Sequence, residues 1–153
     1  MQVIKPSERP AICFKDQVVS YTEFLRRVAE YSLAFTADPG SRVVVLSENK
    51  PEWVYAFYSI WHKGCIPVPV DYLSSAEDIA FTMKDCRPAA VFCSSGCRES
   101  LEEALQELDF SPQVIDPATI AAKEDTVPAA PAEHGLDDTA VILYTSGTTG
   151  DPK

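Results

Sequence analysis

Positive charge is scarce in this sequence, and no cluster of lysine or arginine occurs along it. The 153 residues contain 13 Lys and Arg against 23 Asp and Glu, which gives a formal net charge of -10. Proteins that bind nucleic acid usually present a basic patch to the phosphate backbone. Arg26 and Arg27 form an adjacent basic pair, and we expect both on a solvated helix face. The charge balance therefore argues against a nucleic-acid partner.

Long apolar runs are also lacking. No stretch approaches the roughly 20 apolar residues that a membrane-spanning helix needs, and residues 1–10 have no apolar signal-peptide region. The five cysteines are odd in number and irregularly spaced, which argues against a secreted disulfide framework. Their spacing matches no common zinc pattern, so we predict no metal ligand and expect Cys86, Cys93 and Cys97 to be small core residues. These absences favour a cytoplasmic protein.

Short apolar segments with strand character recur along the chain. Residues 11–14 and 17–19 flank a turn at Lys15 and Asp16, which predicts a hairpin. Three consecutive valines in residues 42–46 are typical of a strand buried on both faces of a parallel sheet. Pro67 and Pro69 place the next strand at an edge or a strand end. The predicted strands after the hairpin are 42–46, 66–70, 89–93, 113–115 and 139–144.

Helix signals fall between these strands. Two pairs, Ser20 with Glu23 and Ser74 with Glu77, have the spacing of a capping box. Pro51 suits the first turn of a helix, and Gly64 suits its C-terminal cap. A further helix is predicted over 98–108. We expect Trp53, Phe57 and Trp61 to be core residues rather than a substrate pocket, and His62 to be a partly exposed residue at a helix end.

The alternation of strands and helices predicts an α/β fold, with a doubly wound, largely parallel sheet and flanking helices. We divide the chain into an α/β subdomain (1–115), a connection rich in Pro, Ala and acidic residues (116–138), and a strand followed by a loop (139–153). No internal repeat is found.

The last nine residues combine glycine, hydroxyl and lysine side chains directly after a predicted strand. Gly147 and Gly150 let backbone N–H groups approach a ligand closely, and successive N–H groups form a concavity that binds anions. Lys153 adds a positive charge. This composition predicts a phosphate-binding loop, with a flexible polar tail as the alternative. The hydroxyl groups belong to Thr145, Ser146, Thr148 and Thr149.

The loop differs from two common phosphate-binding motifs. The Walker A loop requires Lys directly after its second Gly, whereas Asp151 and Pro152 separate Gly150 from Lys153 here. The dinucleotide-binding fingerprint requires a Gly-x-Gly before a helix, which this sequence does not contain. Residues 144–153, Tyr-Thr-Ser-Gly-Thr-Thr-Gly-Asp-Pro-Lys, instead resemble the signature loop of the AMP-binding, adenylate-forming superfamily. Residues 19–25, 47–53 and 61–71 resemble other segments of that superfamily in the same order.

The resemblance implies an ATP-dependent reaction. In that family the loop contacts the β- and γ-phosphates of ATP, a carboxylate attacks the α-phosphate to give acyl-AMP and pyrophosphate, and a thiol takes the acyl group. It implies ATP, Mg²⁺ and CoA as cofactors of the whole enzyme, with a carboxylic acid as substrate, and we favour a long-chain fatty acid. It implies a phosphate-binding role for these residues: Thr145, Ser146, Gly147, Thr148, Thr149, Gly150 and Lys153.

Family members run to several hundred residues, so the resemblance implies an N-terminal piece of an acyl-CoA synthetase-like ligase. We expect the catalytic residues to lie outside these 153 residues, and the chain alone to bind ATP weakly and form no acyl-adenylate. An exposed apolar patch would favour self-association. Two alternatives stay open: an adenylation domain of the peptide-synthetase type, and a non-catalytic binding module completed by a partner chain.

Overall fold

The protein is described by a computed structural model for residues 4–122 and 130–145. A hairpin comes first, and strands then alternate with helices, as the sequence predicts. The elements are β1 (Pro10–Phe14), β2 (Gln17–Ser20), α1 (Tyr21–Ser32), β3 (Arg42–Leu46), α2 (Pro51–His62), β4 (Ile66–Val70), α3 (Ala76–Cys86), β5 (Ala90–Cys93), α4 (Arg98–Leu105) and β6 (Gln113–Ile115).

A four-stranded parallel sheet in the order β4-β3-β5-β6 forms the centre of the fold. The valines of β3 alternate between its two faces. Val43 and Val45 pack in one apolar cluster with side chains of α1 and α2, whereas Val44 packs in a second cluster with α3 and α4. Helices therefore cover both faces, and the predicted α/β class with a parallel sheet and flanking helices is confirmed.

β4 lies at the edge of the sheet formed by the described residues, as its prolines predict. The Ile66 N–H points towards β3 and donates to the carbonyl oxygen of Ser41, the residue before β3, at 2.8 Å. Because successive residues of a strand direct their backbone groups to opposite sides, Pro67 and Pro69 face away from β3. Their missing N–H groups therefore cost the sheet no hydrogen bond.

The strand predicted over 139–144 does not form, since residues 139–145 are irregular in the structure. Their one backbone bond to β4 joins the Ile142 N–H to the Pro67 carbonyl at 3.1 Å. A regular ladder would need donors from the outer side of β4, where Pro67 and Pro69 have none. The prolines thus explain both the edge position of β4 and the missing fifth strand.

One of the two predicted helix caps is confirmed. The Ser20 hydroxyl accepts a hydrogen bond from the Glu23 N–H at 3.2 Å and begins α1. The second prediction, Ser74 with Glu77, is wrong by one residue. Ser75 is the N-cap of α3, and its hydroxyl accepts from the Asp78 N–H at 3.2 Å.

Arg27 is largely buried, so the expectation of a solvated position is wrong for this residue. Its side chain is 14% exposed and pairs with the Glu30 carboxylate, itself 2% exposed. Arg27 also donates to the Ile120 carbonyl oxygen at 3.1 Å, and its guanidinium lies 5.2 Å from the ring centre of Tyr31. This contact attaches the chain after β6 to α1.

The three cysteines expected to be small core residues, Cys86, Cys93 and Cys97, are buried. Cys65 is also buried and Cys13 is exposed, and all five are free thiols. Within residues 4–122 and 130–145, no helix is both long and apolar enough to cross a bilayer.

Candidate functional site

Of the predicted phosphate-binding residues, the structure describes Thr145, which is exposed and directly follows the half-buried Tyr144. Six others lie outside the described residues: Ser146, Gly147, Thr148, Thr149, Gly150 and Lys153. The described part of the site is therefore the segment that leads into the loop and the contacts that hold this segment in place.

The segment 132–144, which we call the strap, runs from the end of α2 across the edge of β4. Ala132 donates its N–H to the His62 carbonyl at 2.9 Å. The Trp61 indole N–H donates to the Ala140 carbonyl, and the Ile142 N–H donates to the Pro67 carbonyl at 3.1 Å. The strap is thus joined to α2 and to β4 before it reaches the loop.

Tyr144 joins the end of the strap to α3. Its hydroxyl donates a hydrogen bond to the Asp85 carboxylate, and its ring packs with Ile142 against the apolar cluster under α3 and α4. Burial, followed by the hydrogen bond to Asp85, raises the pKa of Tyr144. The phenol therefore remains a protonated donor at neutral pH, and the loop begins from a fixed residue.

Aromatic side chains of α2 form a half-buried row beside the strap. The Trp53 and Phe57 rings stack with centres 5.2 Å apart, and Phe57 meets Trp61 edge-to-face at 4.8 Å. Trp53 packs against the apolar cluster under α1 and α2, as expected of a core residue, whereas the half-buried Phe57 and Trp61 belong to neither apolar cluster and do not meet that expectation. Trp61 additionally holds the strap through Ala140, a role that the sequence did not indicate.

His62 ends α2 and is partly exposed, as predicted. Its Nε2 atom is buried and has no hydrogen-bond partner among the described residues. Burial lowers the pKa of the imidazole, because a charged ring would lose hydration without gaining a partner. Within residues 4–122 and 130–145, no nucleophile or second titratable group forms a hydrogen bond with this nitrogen, and the burial of the ring supports a packing role.

The winding of the sheet reverses between β3 and β5, a place where open α/β sheets commonly bind ligands. Here the Glu48 carboxylate follows the end of β3, 3.1 Å from the Lys50 ammonium. A Cβ added to Gly96 would lie 2.6 Å from Glu48 Oε1. Hydrogen bonds, first from its own backbone N–H and then from Ser94, lower the pKa of Glu48. A fixed carboxylate does not suit phosphate groups, so this place is a poor nucleotide site.

Comparison with known proteins settles the family. A family model described as AMP-binding enzyme matches residues 2–153, which is nearly the whole chain. The chain belongs to the AMP-binding enzyme family. This confirms the resemblance found in the sequence, and the matched region includes the predicted loop.

Curated members of the AMP-binding family resemble this chain over most of its length. A 2-succinylbenzoate–CoA ligase from Bacillus velezensis is 30% identical over 151 residues, which are 95% of this chain and 30% of that protein. An isonitrile lipopeptide synthase from Mycobacterium tuberculosis is 34% identical over 99% of this chain and 6% of its own length. Long-chain-fatty-acid–CoA ligase FadD15 from Mycobacterium bovis is 31% identical over 84% and 24%. The chain thus spans less than a third of these relatives.

Solved structures agree with the family and the fold. O-succinylbenzoate CoA synthetase from Bacillus subtilis, in complex with AMP, is 28% identical, with a TM-score of 0.77 over 97% of this chain and 38% of that one. An anthranilate CoA ligase in complex with anthranoyl-AMP superposes with a TM-score of 0.83 at 18% identity, over 96% and 30%. The second likeness supports the fold alone.

Proposed function

We propose that the protein containing this chain is an ATP-dependent ligase that activates a carboxylic acid as an acyl-adenylate and passes the acyl group to a thiol. The observation that carries the proposal is the loop sequence of residues 144–153, within a chain that the family model matches over residues 2–153. The described geometry supports it, because Tyr144 attaches the start of this loop to the end of α3.

In the first step, a carboxylate oxygen forms a bond to the α-phosphorus of ATP, and the bond from that phosphorus to pyrophosphate breaks. In the second, the thiol sulfur bonds to the acyl carbon, AMP leaves, and the thiol proton passes to a base. The loop hydroxyls and N–H groups would bind the β- and γ-phosphate oxygens, and Lys153 would offset their charge. Their part is to hold pyrophosphate as it leaves.

Mg²⁺ would accompany the ATP phosphates in such a reaction. The described residues contain no group of three or more His, Cys, Asp or Glu side chains placed to hold a metal. We therefore assign no metal ligand to this part of the chain and derive no step through the ion. Five free thiols are in keeping with a reducing compartment, so we place the reaction in the cytoplasm.

For the acid and the thiol, we propose a long-chain fatty acid and CoA. The 31% identity to a long-chain-fatty-acid–CoA ligase supports this assignment. The 30% identity to a 2-succinylbenzoate–CoA ligase supports CoA as acceptor and makes an aromatic acid the first competing substrate.

A second candidate is an adenylation domain of a peptide synthetase. It is favoured by the 34% identity to an isonitrile lipopeptide synthase, over 99% of this chain. Such an enzyme would form the same acyl-adenylate and would pass the acyl group to a protein-bound thiol in place of CoA.

The test is acid-dependent exchange of labelled pyrophosphate into ATP by the natural full-length protein. A panel of palmitate, 2-succinylbenzoate and the amino acids identifies the acid, and acyl-CoA detected after CoA addition identifies the acceptor. We expect exchange with palmitate and formation of palmitoyl-CoA. Exchange without acyl transfer to CoA would favour the peptide-synthetase candidate.

Two controls define the result. Lys153→Ala should abolish or strongly reduce exchange, whereas Asp109→Ala, which removes an exposed carboxylate paired with Arg87, should leave it unchanged. The isolated 153-residue chain should support no exchange. Absence of exchange by the full-length protein with every acid of the panel would refute the proposed activity.

A further inference from the structure

At its C-terminal end, next to the predicted phosphate loop, the strap is held to α3 by a single side-chain hydrogen bond. Tyr144 donates to the Asp85 carboxylate, and Thr145, the next residue, is exposed. The preceding attachment, from Ile142 to Pro67, lies two residues earlier. The place from which the loop starts is therefore set mainly by the contact between Tyr144 and α3.

The aspartate at position 85 does not stabilise the helix that carries it. It lies in the last turn of α3, where the helix dipole disfavours negative charge by roughly 0.3–1 kcal/mol. The nearby cations have other described partners: Lys84 pairs with Glu107 at 2.7 Å, Arg87 pairs with Asp109 at 3.0 Å, and the Arg42 Nε atom donates to the Cys86 carbonyl. Asp85 thus carries an unfavourable charge whose described hydrogen-bond donor is Tyr144.

The surroundings fix Asp85 and Tyr144 relative to the sheet. The Arg42 Nε atom, at the start of β3, donates at 2.7 Å to the Cys86 carbonyl, next to Asp85 in the chain. This bond ties the end of α3 to the central strand. Tyr144 is seated by apolar contacts as well, because its ring packs with Ile142 against the cluster under α3 and α4.

We propose that Asp85 is a positioning residue for ATP: by holding the Tyr144 hydroxyl, it fixes the point, at Thr145, from which the predicted phosphate loop starts. This inference rests on the proposed function, and it adds a residue that no motif in the sequence marks. Asp85 touches neither substrate nor reacting atoms in this assignment, and it acts through Tyr144.

The test compares Asp85→Ala, Tyr144→Phe, the double variant and Asp85→Asn in the natural full-length protein. MgATP affinity is measured by calorimetry, and KM values are measured by pyrophosphate exchange. Loss of one hydrogen bond to a charged group should raise the Kd and KM for ATP about tenfold, and the KM for the acid should change less than about twofold. The double variant should match the single variants, since both break one contact. Asp85→Asn keeps an acceptor oxygen and should retain near-normal ATP affinity.

Asp109→Asn is the matched control. The Asp109 carboxylate lies near the same end of α3 as Asp85, but it contacts Arg87 and not the strap. Amide hydrogen exchange adds a readout independent of turnover. Exchange should increase in the peptide that covers residues 140–145 and stay unchanged in α3.

Unchanged ATP affinity in Asp85→Ala and Tyr144→Phe would overturn the positioning role. So would loss of affinity for both ATP and the acid together with faster amide hydrogen exchange throughout α3, which would indicate a structural role. A wild-type protein that binds ATP but catalyses no pyrophosphate exchange would refute the proposed reaction, and the Kd for ATP would still test this contact. A wild-type protein that binds no ATP would overturn both proposals.

Discussion

Ala132 of the strap lies directly against Gly64, the residue that follows the C-cap of α2. A Cβ built on Gly64 would lie 3.1 Å from the Ala132 Cβ, and Gly64 has a φ of +78°. Glycine therefore serves two purposes at this turn, since it adopts a left-handed conformation and leaves room for the strap.

Gly64→Ala should destabilise the fold by about 1–2 kcal/mol from the backbone conformation alone, with a further loss from the contact with Ala132. Gly135→Ala is the control, because a Cβ there would meet Asp138 no closer than 3.5 Å. Denaturant unfolding of both variants checks the prediction. Equal unfolding midpoints for the two variants would contradict it.

Glu30→Ala should be among the most damaging single substitutions in α1. The Glu30 carboxylate is 2% exposed and pairs with Arg26 and Arg27, so its removal leaves the largely buried Arg27 without its carboxylate partner. Breaking such a buried pair typically costs about 3–5 kcal/mol. Glu102→Ala, which removes an exposed partner of Arg98, should cost less than about 1 kcal/mol. Urea unfolding compares the two, and a similar cost for both would show that burial of Glu30 does not matter.

Thiol labelling should distinguish one cysteine from the other four. Cys13 is exposed, whereas burial raises the pKa of Cys86 to about 11 and that of Cys93 to about 12. Because the thiolate is the reactive form, brief alkylation at pH 8 followed by peptide mapping should modify Cys13 alone among the five. Addition of urea should expose the rest, and rapid native labelling of Cys93 would be inconsistent with the packing of β5.

The free energy of unfolding should depend on pH through His62. Burial places its folded-state pKa below the ordinary value of 6.5, so the unfolded chain takes up this proton at a higher pH than the folded chain. The stabilisation from the neutral imidazole is complete above pH 6.5, and it is lost as the pH falls from 6.5 through the folded-state pKa. His62→Gln should therefore lose less stability than the wild type between pH 7.5 and 5.5. Parallel stability curves for the two proteins would count against a buried neutral imidazole.

Local patterns in the sequence were sufficient for most of the fold. The strand 66–70 was predicted with its observed bounds, and its prolines gave the edge position because they act within the strand itself. The cap of α3 shows where such patterns stop. Ser74 and Ser75 each have an acidic residue three positions later, so the sequence offers two equivalent starts. The choice falls on Ser75, with Ile79 and Met83 buried against the sheet.

Contacts between distant parts of the chain could not be predicted in the same way. Tyr144 and Asp85 are 59 residues apart, and Arg27 and Ile120 are 93 apart. No spacing rule links such pairs, because their contact depends on how the sheet and helices pack. Composition and the resemblance to the AMP-binding signature loop pointed to phosphate binding by Thr145, Ser146, Gly147, Thr148, Thr149, Gly150 and Lys153. That role stays a prediction, since most of the loop lies outside the described residues.

The outer border of β4 also has a consequence for the solubility of the chain. Pro67 and Pro69 have no N–H groups there, and the Pro67 carbonyl already accepts from Ile142, so an approaching strand would receive no hydrogen bond at these positions. Fibrils grow when each added strand both gives and accepts hydrogen bonds along its whole length. The pyrrolidine rings of Pro67 and Pro69 therefore disfavour the addition of further strands at this edge of the sheet. Any association of copies there must depend on side chains.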